Sequence, residues 1–239
     1  RIDGRGLRNG RTGGRLERAG RVGPCIPRGI IELDWNTYFA TLKDWKRLPA
    51  YKAEPRIDSL VGHFLPRLLT DLLGIEVLAL IPELPLRKGT LCTEFEGTVH
   101  AERSWKVDFL AVGPDRCWLV EFKTDSGSRR EVQDDYLRDA VRVGTGAVVD
   151  GIVRIASVSP YKRKYAHLLG KLREAGLLNG EVWSGRCPTM EILYVQPSSP
   201  AEGERGLGFE QIAAWLEALP KAGGFEKAFA GALREWAGD

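Results

Sequence analysis

The spacing of apolar residues predicts helices towards both ends of the chain. Residues 34–48 and 56–73 are each apolar on one helical side, and Asp34 is a candidate N-cap for the first segment. Gly74 is typical of a helix C-terminus, whereas Pro66 predicts a kink or a break near the middle of the second helix. Three further segments show helical spacing: 160–175, 209–219 and 225–236.

Segments with strand character occupy the middle of the chain. Residues 75–81 and 93–100 precede two apolar runs, 105–112 and 117–125. The runs are separated by Gly-Pro-Asp-Arg at 113–116, where proline at the second position suits a tight turn, so they predict a hairpin. After the hairpin we expect a helix from 129 to about 143 and strands at 150–157 and 190–196. The expected fold class is therefore α/β, with a central mixed sheet of about four to five strands flanked by helices and extra helices at both ends.

Three charged residues fall where the two strands of the hairpin meet. A turn centred between Pro114 and Asp115 pairs residues whose numbers add up to 229, so Asp108 faces Glu121. Lys123 lies two residues beyond Glu121, on the same strand face and roughly 7 Å along it. Like charges opposed across a ladder are destabilising, and a divalent cation held by both carboxylates would compensate.

A Glu-x-Lys pair is also common on the solvated face of a strand, and that is the simpler interpretation. Here, however, the acids interrupt apolar runs. Trp118, Val120 and Phe122 share one strand face, and Leu119 lies beside the acids on the other. We therefore expect both faces to be covered, and a covered carboxylate needs a partner.

The arrangement of Asp108, a spacer of about a dozen residues and Glu121-Phe122-Lys123 resembles the signature of the PD-(D/E)XK nuclease superfamily. Val107 stands where the superfamily's name has a proline, a position that varies. The resemblance covers approximately residues 54–197, and it implies a restriction-endonuclease-like core.

In functional terms, the resemblance implies a divalent-metal-dependent enzyme that hydrolyses phosphodiester bonds, with DNA as the favoured substrate. Asp108, Glu121 and the Phe122 carbonyl would hold Mg²⁺ or Mn²⁺. Lys123 would orient or deprotonate the attacking water and stabilise charge in the transition state.

The helices on either side of the hairpin supply further candidates under the same resemblance. Glu54 and Asp58 are candidates for an additional acid, although Asp58 equally suits the positive end of a helix. Gln133 is expected on the helix after Glu-x-Lys, where a polar residue contacts the active site. The Gln-x-x-x-Tyr form of one subgroup is not matched, because Tyr136 follows Gln133 by only three positions.

The net charge changes sign near residue 30 of the chain. Residues 1–29 contain eight arginines, eight glycines and two acids, a net charge of +6, whereas residues 30–239 carry 27 basic and 30 acidic groups. We expect a disordered Gly/Arg-rich tail over 1–29 and a single nuclease-like domain over 30–239. The tail is either a phosphate-binding arm or the product of a misplaced start or truncated reading frame. The second interpretation is favoured because the chain begins with Arg1 and its one methionine is Met190.

Basic residues near the predicted site are candidates for nucleic-acid binding. The densest patch lies on residues 160–175, where a solvated helix face is the alternative interpretation. The predicted phosphate-binding residues are Arg129, Arg130, Lys162, Arg163, Lys164 and Lys171.

Cysteine spacing and the absence of a long apolar segment limit the expected location and partners of the protein. The four cysteines are too widely spaced for a zinc site or a disulfide framework, so we expect a cytoplasmic protein. Charges and prolines interrupt the most apolar stretch, 72–86, so no membrane partner is expected. Nucleic acid is the expected partner, and the sequence leaves a homodimer open. Two rivals to a nuclease also remain: an inactive nucleic-acid-binding or assembly module with the same core, and an unrelated α/β protein whose hairpin imitates the motif.

Overall fold

The computed structural model describes residues 35–46, 54–124 and 131–238. Its elements in chain order are α1 (Trp35–Lys46), α2 (Glu54–Leu73), β1 (Ala79–Arg87), α3 (Lys88–Leu91), a 3₁₀ turn (Thr93–Phe95), β2 (Ser104–Val112), β3 (Arg116–Phe122), α4 (Glu131–Val158), α5 (Lys162–Glu174), β4 (Leu178–Asn179), β5 (Val182–Trp183), β6 (Thr189–Gln196), β7 (Gly206–Gly208), α6 (Phe209–Glu217) and α7 (Gly224–Ala237).

A mixed sheet of five strands, in the order β1-β2-β3-β6-β7, forms the centre. The first three strands are antiparallel, whereas β3, β6 and β7 run parallel. One sheet face packs against α1, α2, α6 and α7, and the other packs against α4 and α5. The expected α/β class and the additional terminal helices are therefore confirmed. Phe39 of α1 stacks on Phe229 of α7, with ring centroids 5.3 Å apart, which joins the two ends of the described chain.

The hairpin has the predicted register. Its ladder begins with Val112 opposite Cys117, and the Gly113 N–H donates to the Arg116 carbonyl at 2.9 Å. Trp118, Val120 and Phe122 are buried in the cluster beneath α2, while Leu119 is buried in the cluster beneath α4. Both faces of β3 are covered, as the apolar pattern predicts.

Two strands predicted before the hairpin differ from the structure: one lies further along the chain, and the other does not form. The strand expected at 75–81 occupies Ala79–Arg87 instead and contains Pro82 and Pro85. Because β1 is an edge strand, a missing N–H is tolerated there. Residues 93–100 form a 3₁₀ turn and further turns, with Gly97 at φ 78°. Val99 is 87% exposed, so the alternation in this segment did not mark a buried face.

Residues 150–157, expected as a strand, belong to helix α4. The first part of α4 agrees with the predicted helix and bends at Gly144, where φ is 82° and ψ is 169°. Helical periodicity then resumes, with Val148, Val149, Ile152 and Ile155 buried. The prediction was wrong because β-branched residues favour strands locally, whereas burial of this helical face overrides that preference.

Helix α2 begins and ends close to the predicted positions. It continues through Pro66 without a break and is followed by Gly74 at φ 66°, the conformation expected of a glycine C-cap. Within the described ranges, no helix combines the length and apolar character that crossing a bilayer requires.

Candidate functional site

The predicted acids lie where the β2–β3 ladder ends. Backbone pairing stops at Phe109 and Val120, one residue before Asp108 and Glu121. Beyond this point the Phe122 N–H donates to Asp108 Oδ2 at 2.7 Å. The Asp108 carboxylate therefore replaces the next backbone bond of the ladder, and this contact fixes its position beside β3.

In β1 and β2, the alternation of side chains between the two sheet faces shifts by one residue at the level of Asp108. Residues three apart are buried in the same cluster: Ile81 and Leu84 in β1, and Val107 and Leu110 in β2. Between them lie Glu83, at φ 54°, and Asp108, which the β1–β2 register places opposite each other without a backbone pair. Irregularities of this kind redirect side chains and are frequent beside active sites. Glu83 was not predicted as a site residue because the sequence pattern placed no strand there.

Glu121 is almost completely buried, with 1% of its surface exposed. Its Oε1 atom accepts a hydrogen bond from Lys123 Nζ at 2.6 Å and another from Gln133 Nε2. Its Oε2 atom is buried and has no hydrogen-bond partner among the described residues. A buried carboxylate oxygen without a donor is energetically costly, and it requires a proton or a cation.

Lys123 is held in place by the neighbouring strand. Its side chain is 6% exposed, and its backbone N–H donates to the Val195 carbonyl of β6 at 2.8 Å. The ammonium group therefore approaches Glu121 from a fixed backbone position, in surroundings with little water to screen the charges.

The electrostatics of the two acids follow from their burial and proximity. Burial, followed by the negative charge of Asp108, raises the pKa of Glu121 to about 8. Burial also raises the pKa of Asp108, although the Phe122 N–H and Lys123 oppose this shift. The two carboxyl groups are within hydrogen-bond reach of each other. When both are ionised they have no proton to share, so the pair then favours a bound cation.

A second layer of acidic groups surrounds this pair. The pKa of Asp58 on α2 is raised mainly by burial and further by Asp108 and Glu83, so this candidate for an additional acid lies within electrostatic range of both. Glu83 forms an ion pair with Lys106 at 2.5 Å, and both side chains are exposed. Glu54 is the first residue of α2, and its side chain lies outside the described part of the structure.

Helix α4 contacts the site through two residues. Gln133 reaches Glu121, the contact expected of a polar residue on the helix after Glu-x-Lys. Tyr136 stacks on Trp105 with ring centroids 5.3 Å apart, and its hydroxyl donates to the Lys106 carbonyl at 2.9 Å. Burial and the charge of Glu121 raise the pKa of Tyr136. The three-residue spacing of Gln133 and Tyr136 thus still brings both residues to the edge of the site.

The predicted basic residues occupy different environments. Lys162 Nζ donates to the carbonyls of Ala156 and Ser157 at 3.2 and 2.5 Å, and Lys171 pairs with Glu174 at 2.7 Å. Lys164 lies 6.0 Å from the centre of the Tyr161 ring. Arg163 is exposed on the same helix. Arg129 and Arg130 lie outside the described residues.

The donor set suits a small hard cation. Within residues 35–46, 54–124 and 131–238, no three His, Cys, Asp or Glu side chains come together to hold a metal ion. The available ligands are therefore the carboxylates of Asp108 and Glu121 and the carbonyl of Phe122, which faces β2 because the N–H and C=O of one strand residue point the same way. Mg²⁺ is usually held by one or two carboxylates, with water and substrate phosphate completing its coordination.

Comparison of the chain with protein-family models, curated proteins and solved structures gave no match.

Proposed function

We propose that the chain is a divalent-metal-dependent nuclease of the PD-(D/E)XK type that hydrolyses phosphodiester bonds in DNA. The observation that carries this proposal is the buried Glu121 oxygen that has no hydrogen-bond donor and lies in a carboxyl group within reach of Asp108. Two acids so placed repel each other when ionised, and a divalent cation converts the repulsion into binding.

Each residue then has a defined role. Asp108, Glu121 and the Phe122 carbonyl would hold Mg²⁺ or Mn²⁺. When bound, such an ion polarises a phosphate oxygen and lowers the pKa of a bound water. Lys123, 2.6 Å from Glu121, donates to the phosphate or the attacking water and stabilises negative charge that develops in the transition state. Gln133 keeps Glu121 oriented, in the way that outer hydrogen bonds orient metal ligands.

Cleavage of plasmid and oligonucleotide substrates with Mg²⁺ or Mn²⁺ tests the proposal. We expect Asp108→Asn and Lys123→Met each to reduce the cleavage rate by about a hundredfold or more, because each removes a ligand or a charge at the reacting phosphate. Asp115→Asn is the matched control, since Asp115 lies in the turn of the same hairpin with 71% of its side chain exposed. Equal cleavage by all four proteins would overturn the catalytic assignment.

An inactive nucleic-acid-binding or assembly module is the second candidate. It is favoured by the raised pKa of Glu121, because a protonated Glu121 can share its proton with Asp108 and keep the pair stable without metal. This alternative predicts that nucleic-acid binding is unaffected by divalent cations and that no substrate is cleaved under any metal condition.

A further inference from the structure

A groove of about 750 Å³ opens between the edge strand β1 and helix α5. Its floor is apolar and includes Ile81, Pro82 and Leu168. Lysines border the groove on both sides: Lys106 on β2, and Lys164 and Lys171 on α5. The combination of an apolar floor and a basic border differs from a uniformly polar phosphate-binding surface.

Glu83 connects the groove to the candidate site, although Asp108 and Glu121 do not themselves line the groove. Glu83 lines it and is in register with Asp108 of β2, close enough for its charge to act on that carboxyl. Lys106 pairs with Glu83 at 2.5 Å and precedes Asp108 by two residues. A ligand lying along the groove would therefore pass beside Glu83, the residue opposite Asp108.

Two tyrosines favour an unpaired strand as the occupant. Tyr161, which directly precedes α5, is 65% exposed, and Tyr165 lines the same wall of the groove. A duplex stacks its bases internally, whereas a single strand offers base faces that stack on aromatic side chains. Lys164 and Lys171 are seven residues apart, about 10 Å along the helix axis, so they can contact different phosphates of one strand.

We infer that this groove binds an unpaired nucleic-acid strand and directs it to Asp108 and Glu121. The inference rests on the proposed function and specifies its substrate class: single-stranded nucleic acid, or the single-stranded branch of a duplex. Tyr161 and Tyr165 stack on bases, while Lys164 and Lys171 contact phosphates.

Fluorescence anisotropy in EDTA tests this inference without cleavage. The probes are labelled oligothymidine, oligouridine and a blunt duplex of equal length. We expect the wild-type protein to bind a single strand about tenfold or more tightly than the duplex. Tyr161→Ala should weaken single-strand binding by about tenfold, the size of one lost base stack, whereas Tyr161→Phe keeps the ring and should bind like wild type.

A second set of variants tests whether the positive charges beside the groove contribute to binding. Lys164→Ala should weaken binding and make its salt dependence shallower by about one unit of slope, because one phosphate contact is lost. Lys227→Ala is the matched control, since Lys227 is exposed on α7, which covers the other sheet face, and does not line the groove. Tighter binding of duplex than of single strand, or equal affinities for wild type and Tyr161→Ala, would overturn the inference.

Two results distinguish an incorrect assignment of the groove from an incorrect assignment of nuclease activity. If Tyr161-dependent strand binding occurs in EDTA but Mn²⁺ produces no cleavage, the groove is supported and the nuclease is overturned. If Tyr161→Ala cleaves a single strand as rapidly as wild type does, the groove is overturned and the nuclease stands. The ratio of oligothymidine to oligouridine affinity then gives the combined effect of the 2′-hydroxyl group and the thymine methyl group on recognition.

Discussion

Replacing Glu121 by glutamine should remove a loss of stability that the wild-type protein suffers as pH rises. The ordinary pKa of this carboxyl is 4.5, and in the folded protein it is about 8. The folded state therefore keeps a proton that the unfolded state releases, so this contribution to stability is full below about pH 4.5 and is lost as the pH rises through about 8. At 1.36 kcal/mol for each pKa unit, the loss amounts to at most about 5 kcal/mol.

Glutamine carries no titrating proton, and its amide can donate to Asp108 while its oxygen still accepts from Lys123. Urea unfolding of both proteins in EDTA, from about pH 5 to about pH 9, measures the difference. We expect the free energy of unfolding of Glu121→Gln to exceed that of wild type by an amount that grows with pH to several kcal/mol. Mn²⁺ should stabilise the wild type, by about 2.7 kcal/mol at a hundredfold excess over Kd, but not the variant. Parallel pH profiles would show that Glu121 does not retain a proton in the folded protein, and equal stabilisation of both proteins by Mn²⁺ would show that Glu121 is not a metal ligand.

Three further substitutions test one contact of Glu121 and the packing at two glycines. Gln133→Leu removes a donor to Glu121, and we expect cleavage and Mn²⁺ affinity, measured by calorimetry, to fall by about ten- to a hundredfold. Gly206→Ala places a Cβ atom 2.1 Å from the Tyr194 carbonyl oxygen, so β6 and β7 must separate. We expect the free energy of unfolding, measured in urea, to fall by about 1–3 kcal/mol. Gly170→Ala meets nothing within 4 Å on α5 and should raise stability by about 0.5–1 kcal/mol.

Controls for these substitutions come from neighbouring positions. Val132→Ala changes an exposed residue beside Gln133 and should leave cleavage unchanged. Full activity and Mn²⁺ affinity in Gln133→Leu would contradict its role at Glu121. Equal stabilities for Gly206→Ala and Gly170→Ala would contradict the close backbone approach between β6 and β7.

The hairpin was predictable because its determinants are local. Proline in the turn sets the register, and the register alone brings Asp108 to the level of Glu121. The helical periodicity of α2, α6 and α7 reports burial of one face, so these elements also followed from the sequence. The contact of Gln133 with Glu121 was anticipated only through the family resemblance, since its position depends on how α4 packs on the sheet.

The remaining elements depend on tertiary context. Pro82 and Pro85 argue against a strand unless it lies at an edge, and edge position is not encoded by local pattern. Placing that strand too early hid Glu83, the acid opposite Asp108. Residues 150–157 have strand-like composition, and they became helical because that arrangement buries Ile152 in the cluster packed against the sheet.

A crystal structure of the wild-type protein soaked with Mn²⁺ would show whether Asp108 and Glu121 bind a cation together. We expect anomalous density within about 2.1 Å of one carboxylate oxygen from each residue, as for a small hard cation bound by oxygen. Both side chains in their present positions with no such density, at a pH above the pKa of about 8 for Glu121, would contradict this expectation.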